Sequence, residues 1–394
     1  YQEADINPKF IERIDSVINT AIANKATPGC QILVAKDNKV FLQKSYGYQT
    51  YDNINPVKNF NVYDLASLTK IFATTLAVMK LYEDHRIKLD ETLGKYLPMV
   101  IGSNKENLTI QDILMHQAGL QSYIPIYKQT LVNGKPNPII YQAKIDSIYT
   151  IQVAPSLYMH NDYEQFVWHS ILESEVKPRG NYLYSDLGFI LLRKAVEEIT
   201  QQPFEVFLNE NIYKPLNLSN MVFNPLGKIN QDWIVPTEND TFFRWQLCLG
   251  TVHDQTAAML GGVSGHAGLF SNANDIAIIM QMLLNRGDYG EKQIFKHSTV
   301  DYFTKKQAKG RRGLGFDKPE TDKNRPTPTS RYCSPLTFGH TGFTGTCAWA
   351  DPKSKLIYIF LSNRVNPSSE NKKLVETNVR TNLQDIIYQE LNKE

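Results

Sequence analysis

The chain predicts an α/β (α+β) fold. We expect one antiparallel sheet, of five-stranded type, flanked by terminal helices, with an inserted, mainly helical domain. Three observations carry this. Two strand patterns stand near the start, a block of strand patterns returns after residue 312, and the stretch between them is helical and loop-rich. Two early strands are not stable alone, so strands from both ends must combine in one sheet. Helices at the two ends then cover one face, and the inserted part covers the other. The expected division is 1–63 and 251–394 for the two parts of the sheet domain, and 64–250 for the helical domain with its aromatic-rich insert.

Each element has a local reason. Phe10, Ile14, Val17 and Ile18 form one stripe of a helix over 10–24, and Pro28-Gly29 stops it. Residues 31–36 and 39–46 alternate as strands, joined at Asp37-Asn38, a good tight-turn pair. From Ser67 onward Phe72, Leu76, Met79 and Tyr82 set a helical period that ends near Asp84-His85. Residues 109–116 and 188–200 are the clearest helices of the middle part. Between them lie Tyr123, Tyr127, Tyr141, Tyr149, Tyr158, Tyr163 and Trp168. A structureless loop of that length is unusual, so partial helix and a lid or wall role are expected. A helix follows over 274–284 after an Asn/Ser cap. Strand patterns return at 313–316, 336–341, 344–350 and 356–361, and an amphipathic helix spans 373–391.

Composition excludes several classes. The 394 residues carry 42 Lys+Arg against 40 Asp+Glu, a formal charge of +2, too small for a global electrostatic case for nucleic acid or anionic membrane. No apolar run reaches the roughly 18 residues of a spanning helix. The first residue is Tyr1 and no basic-then-apolar leader follows, which fits either a removed signal or a domain of something longer. Cys30, Cys248, Cys333 and Cys347 form no zinc-type spacing and no disulfide framework. Buried free thiols are expected, with Cys333–Cys347 the one pairing to check.

Three short motifs carry chemistry. Ser67-Leu68-Thr69-Lys70 places a hydroxyl and an amine about one turn apart on one helix face. A lysine in a partly dry site can activate serine, because desolvation depresses its pKa. Ser-x-x-Lys also occurs at Ser174…Lys177 and Ser369…Lys372, but only Ser67 follows a strand pair and opens a strongly apolar helix. Tyr184-Ser185-Asp186 offers a phenol that acts as a base if cations lower its pKa; its bland alternative is a structural tyrosine beside a capping residue. His340-Thr341-Gly342, within a glycine-rich sheet edge, offers a cationic histidine, a hydroxyl for a substrate carboxylate, and the Phe343 amide as an oxyanion donor with that of Ser67. Alone, this third motif reads as a bulge or tight turn.

In this order and context the three motifs resemble the penicillin-recognising serine hydrolases, the group of class C β-lactamases, DD-peptidases and related esterases. The resemblance runs over roughly 10–388. It includes Leu114-Met115-His116-Gln117-Ala118-Gly119-Leu120, Val252-His253-Asp254, and the run from Gly261 to Ser271. It implies the β-lactamase/transpeptidase-like fold, with Ser67 as acylated nucleophile, Lys70 as its activating partner and Tyr184 as base. Asp186, His340, Thr341, Gly342 and Phe343 would line the substrate side.

The resemblance further implies a small-molecule or peptide acyl substrate (amide, ester or β-lactam), no metal, no organic cofactor, no nucleic-acid partner, and an exported or cell-envelope location. Oligomeric state stays open. The alternatives are a carboxylesterase of the same fold or a catalytically silent cell-wall-binding relative, including one behind a glycosidase domain. Two departures stand out. The motif at Tyr184 usually ends in Asn and here ends in Asp186; the one at His340 often begins with Lys and here begins with a histidine, whose charge depends on pH near neutrality. His253, Asp254 and His266 raise a metal site or a further triad, against hydrogen bonding within glycine-rich loops.

Overall fold

The computed structural model describes residues 8–308 and 310–391. Its frame is α1 (Pro8–Ala23), β1 (Gly29–Lys36), β2 (Lys39–Gly47), α2 (Thr75–Glu83), α3 (Ile110–Leu114), α4 (Leu187–Thr200), α5 (Ala273–Leu284), β3 (Phe338–Thr341), β4 (Cys347–Asp351), β5 (Leu356–Ser362) and α6 (Val379–Leu391). The sheet runs in the order β3-β4-β5-β1-β2, antiparallel throughout. Leu33 faces Ile359, and His340 faces Ala348. Asp37 and Asn38 both take positive φ, as a tight β1–β2 turn demands.

Side-chain alternation sends each strand's residues to two different cores. Ile32, Val34, Trp349, Tyr358 and Phe360 meet Phe10, Ile14 and Ile18 of α1 and Leu383 and Ile387 of α6. Leu33, Ala350, Ile357 and Ile359 meet Ile276, Ile279 and Met280 of α5 and, through them, the helical part. Both faces are therefore apolar, and the terminal helices and the insert form the two outer layers.

Three expectations change. Residues 313–316 are not a strand: Gly315 takes φ +81° and passes so close to α2 that a Cβ there would lie 2.0 Å from the Thr75 hydroxyl. The final helix breaks at Asn378, whose left-handed backbone separates Lys373–Glu376 from α6. The aromatic stretch holds a small sheet (Tyr141–Gln142, Leu157–Met159, Ile151–Ala154) as well as a helix, Tyr163–Leu172. The cysteines are free thiols, as expected, with Cys333 only partly buried and its thiol against the Ser330 carbonyl.

Candidate active site

Ser67 sits where the chain leaves a short strand, Tyr63–Asp64, that pairs with Leu269–Ser271. The first turn is not regular α-helix. It is overwound over Ala66–Leu68 and underwound over Lys70–Thr74 before α2 begins, a departure common at functional sites. Ala66 takes φ +47°, a strained position for a residue with a Cβ.

Buried Asp64 holds this turn: its carboxylate accepts the Ala66 N–H at 2.8 Å and the His253 N–H at 2.7 Å. Thr344 and Thr346, in and just after the β3–β4 turn, donate their hydroxyls to the Asp64 and Leu65 carbonyls at 2.8 and 3.2 Å. The Ser67 turn is thereby fixed to the edge of the main sheet.

The Lys70 ammonium donates to Ser67 Oγ at 2.9 Å, to Asp186 Oδ1 at 2.6 Å and to the His266 carbonyl at 3.1 Å. These three bonds use all of its donors. Its side chain is 0% exposed. Burial alone would lower its pKa, but the Asp186 carboxylate and Tyr184 outweigh burial and the net direction is up. The lysine is therefore held as an ammonium, opposite to the depressed pKa expected from desolvation.

Tyr184 Oη lies 2.8 Å from Ser67 Oγ. Burial raises its pKa; Lys70 opposes that rise and Asp186 reinforces it, and the phenol ends above its ordinary value. The loop that carries it is tied on one side to 116–122. Ser185 N–H donates to His116 Nδ1, Ser185 Oγ to the Gln121 carbonyl, and Asp186 N–H to the Ser122 carbonyl. Ser185 Oγ also accepts the Leu187 N–H at the start of α4, so the capping role falls to Ser185 and leaves Asp186 free for Lys70.

Ser67, Tyr184, Asp186, Thr341, Gly342 and Phe343 line one cavity of about 590 Å³. His340 does not. It lies buried beside Tyr184, ring centroids 6.0 Å apart, with Nδ1 turned to its neighbour's carbonyl at 2.7 Å. Burial, then Arg312 and Lys70, push its pKa well below the usual range, so the expected cation is a neutral imidazole. Phe343 is 53% exposed, stacks on His253 and lies under the Arg364 guanidinium. Its N–H has no hydrogen-bond partner among the described residues.

The sequence leaves several contributors unassigned. Asp254 and His266 read there only as a metal site or triad in outline. Their pair, at 2.8 Å, continues to Ser264 Oγ at 2.9 Å from His266 Nδ1. His266 outweighs burial and holds the Asp254 carboxyl below its ordinary range. Ligand-type atoms of Asp186, Asp254 and His266 lie within 4.8 Å of one another, but Asp186 already holds the Lys70 ammonium and Asp254 already holds His266. These contacts occupy the cluster as a hydrogen-bonded loop support. Arg364 and Arg380 also line the cavity, Arg364 over the Phe343 ring and Arg380 donating to the Thr346 carbonyl, and neither has a carboxylate partner within 4.0 Å among the described residues. Neither arginine carries a motif, and only the fold brings them here. The aromatic stretch contributes Tyr123 and Tyr127 to the wall, while Tyr141 and Trp168 pack into the core.

Residues 14–379 match the family model described as Beta-lactamase. A Salmonella gallinarum protein named "Putative D-alanyl-D-alanine carboxypeptidase" is 33% identical over 393 residues, covering 92% of this chain and 85% of that one. Two solved structures share the fold. EstCE1, titled a hydrolase with promiscuous acyltransferase activity, has a TM-score of 0.69 at 19% identity and covers 96% of this chain and 98% of its own. The octameric penicillin-binding protein homologue from Pyrococcus abyssi has a TM-score of 0.66 at 19% identity, covering 97% and 80%. A serine that receives hydrogen bonds from both a lysine and a tyrosine at the edge of a five-stranded antiparallel sheet, together with a family match over most of the chain, shows that this protein belongs to the beta-lactamase family of serine hydrolases.

Proposed function

We propose that the chain cleaves an acyl substrate through an ester on Ser67, with Tyr184 as the base and Lys70 as the fixed cation beside it. The observation that carries this is the convergence of Lys70 Nζ and Tyr184 Oη on Ser67 Oγ, at 2.9 and 2.8 Å. Lys70 has no free lone pair while it is an ammonium, so it cannot take the serine proton. Deprotonated Tyr184, a minority form at neutral pH, takes that proton as Oγ attacks the acyl carbon. The adjacent ammonium stabilises the phenolate. The Ser67 and Phe343 N–H groups receive the developing oxyanion, each such donor being worth roughly 3 kcal/mol. Tyr184 then gives the proton to the leaving group, and takes one from water when the ester is hydrolysed.

For the substrate we favour an acyl peptide whose leaving side ends in a carboxylate. Thr341 with Arg364 and Arg380, cations without a carboxylate partner among the described residues, supports this, as does the carboxypeptidase name of the relatives. The same reading places the protein at the cell envelope. No helix among the described residues is long and apolar enough to cross a membrane. A second reading, a carboxylesterase, draws support from Asp186. An ionised carboxylate offers no donor to a substrate amide carbonyl, so the acyl side is not selected for an amide there.

Intact-protein mass after benzylpenicillin, with Ser67→Ala alongside and an assay for penicilloate, tests this. A lasting adduct on the native chain alone is expected for a peptidase-type site. Penicilloate without adduct indicates lactam turnover. Neither, with turnover of simple esters, favours the esterase reading. No Ser67-dependent chemistry on any of the three overturns the proposal.

A further inference from the structure

His116 lies outside the cavity lining and outside the acyl-transfer steps above, yet it touches the Tyr184 loop in two ways. Its Nδ1 accepts the Ser185 N–H at 3.1 Å, so its proton resides on Nε2. Its ring lies over the Tyr184 ring, with centroids 4.5 Å apart and planes at 33°. The ring's other neighbours are Phe189, at 5.2 Å, and Tyr182, edge-on at 6.2 Å. The residue is buried, and its Nε2 has no hydrogen-bond partner among the described residues. A buried polar atom without a partner is costly, and an apolar side chain of the same shape would avoid the cost, so its presence calls for a reason. Its backbone takes φ +55° and its carbonyl accepts the Leu183 N–H, so both faces of the Tyr184 turn hang on this residue.

We propose that His116 is a positioning residue for Tyr184: one neutral imidazole fixes the turn through Ser185 and the phenol plane through its ring, aiming Oη at Ser67. The groups facing it are Arg312 from the 310–317 loop, Lys70 from the Ser67 turn, His340 from β3, and Tyr182 and Tyr184 from the loop before α4. Burial first, then the charges of Arg312 and Lys70, keep it unprotonated. That neutrality matters, because only an unprotonated Nδ1 accepts the Ser185 N–H. This inference rests on the reading of Tyr184 as the base.

Two variants suit the left-handed backbone at this position: His116→Gly removes ring and acceptor, and His116→Asn restores an acceptor where Nδ1 stood. Hydrolysis of 4-nitrophenyl acetate is measured for both, with Ser67→Ala as the blank and thermal midpoints recorded. For His116→Gly, kcat is expected to fall about 10- to 100-fold with KM nearly unchanged, the scale of a small misalignment. His116→Asn is expected to recover part of that loss. An H116G enzyme within about twofold of native turnover, or a change confined to KM, overturns the inference. Tyr184→Phe separates the two failures. If it keeps native turnover, the base assignment itself falls; if it is inactive while H116G is unaffected, only the positioning role falls.

Discussion

The molecule holds two serine-centred arrays within one hydrogen-bonded neighbourhood. In one, Ser67 meets Tyr184 and Lys70; in the other, Ser264 meets His266, which meets Asp254. By residue type the Ser264 array is closer to a hydrolytic triad, and its Asp254 and His266 reach the cavity lining, yet of the two serines it is Ser67 that faces the cavity. Ser264 is 0% exposed, walled in by the glycine-rich loop whose Gly265 carbonyl accepts the Thr74 hydroxyl. A base beside a serine does not make a nucleophile; space for the acyl carbon and donors for its oxygen do. The array behind the buried Ser264 does a different task. It braces the loop whose His266 carbonyl receives the third Lys70 donor.

This contrast can be broken in order of effect. Ser67→Ala should lower turnover on the order of 10⁴-fold or more and abolish labelling by a fluorophosphonate, read by intact mass. Labelling retained at Ser264 would reverse the assignment of the two arrays. Tyr184→Phe should cost about 10²- to 10⁴-fold in kcat, the usual scale of a lost base.

Asp186→Ala should destabilise the fold by about 3 kcal/mol or more, since it strands a buried ammonium; a urea titration reads this. Asp186→Asn removes a charge that raises the pKa of both Lys70 and Tyr184, so the acidic limb of its rate profile should move to lower pH. On the proposed mechanism the reactive form of the native enzyme is the deprotonated Tyr184 phenol, whose pKa is raised. The rate should therefore climb with pH across neutrality, with a slope of about one in log units while chemistry limits. A flat profile from about pH 5 to 9 contradicts the mechanism. Smallest of all, Ser264→Ala should cost about 1 kcal/mol in stability, one hydrogen bond, with labelling unchanged.

Much of this is legible in residue order. The alternation in β1, β2, β4 and β5 and the stripe of α1 encode the layers directly, because period and burial are local properties. Ser67, Lys70 and Tyr184 are legible as motifs. Their electrostatics are not. Desolvation alone predicts a depressed Lys70, and the lysine is raised, because its partner lies 116 positions away and enters only through the fold. His340 reads as a cation and is neutral, because burial depth on β3 is not a sequence property. Residues 313–316 read as strand by composition, but Gly315 serves a close crossing over α2 and Gly313 packs against the carbonyls of 303–305. Arg364 and Arg380 have no local signal at all.

The order of strands in the sheet has a consequence for how the chain is made. β1 and β2 leave the ribosome as a hairpin well before the rest of the sheet, but the partner on the other side of β1 is β5, and Leu33 waits for Ile359. Until then one edge of β1 stands open, and although α1 is already there for Ile32 and Val34, Leu33 on the other face has no core to enter. A lone hairpin is marginal in water, and contacts this distant in sequence form slowly. Synthesis therefore exposes a sticky edge for most of its duration, and the late emergence of β5 and α6 decides when it closes.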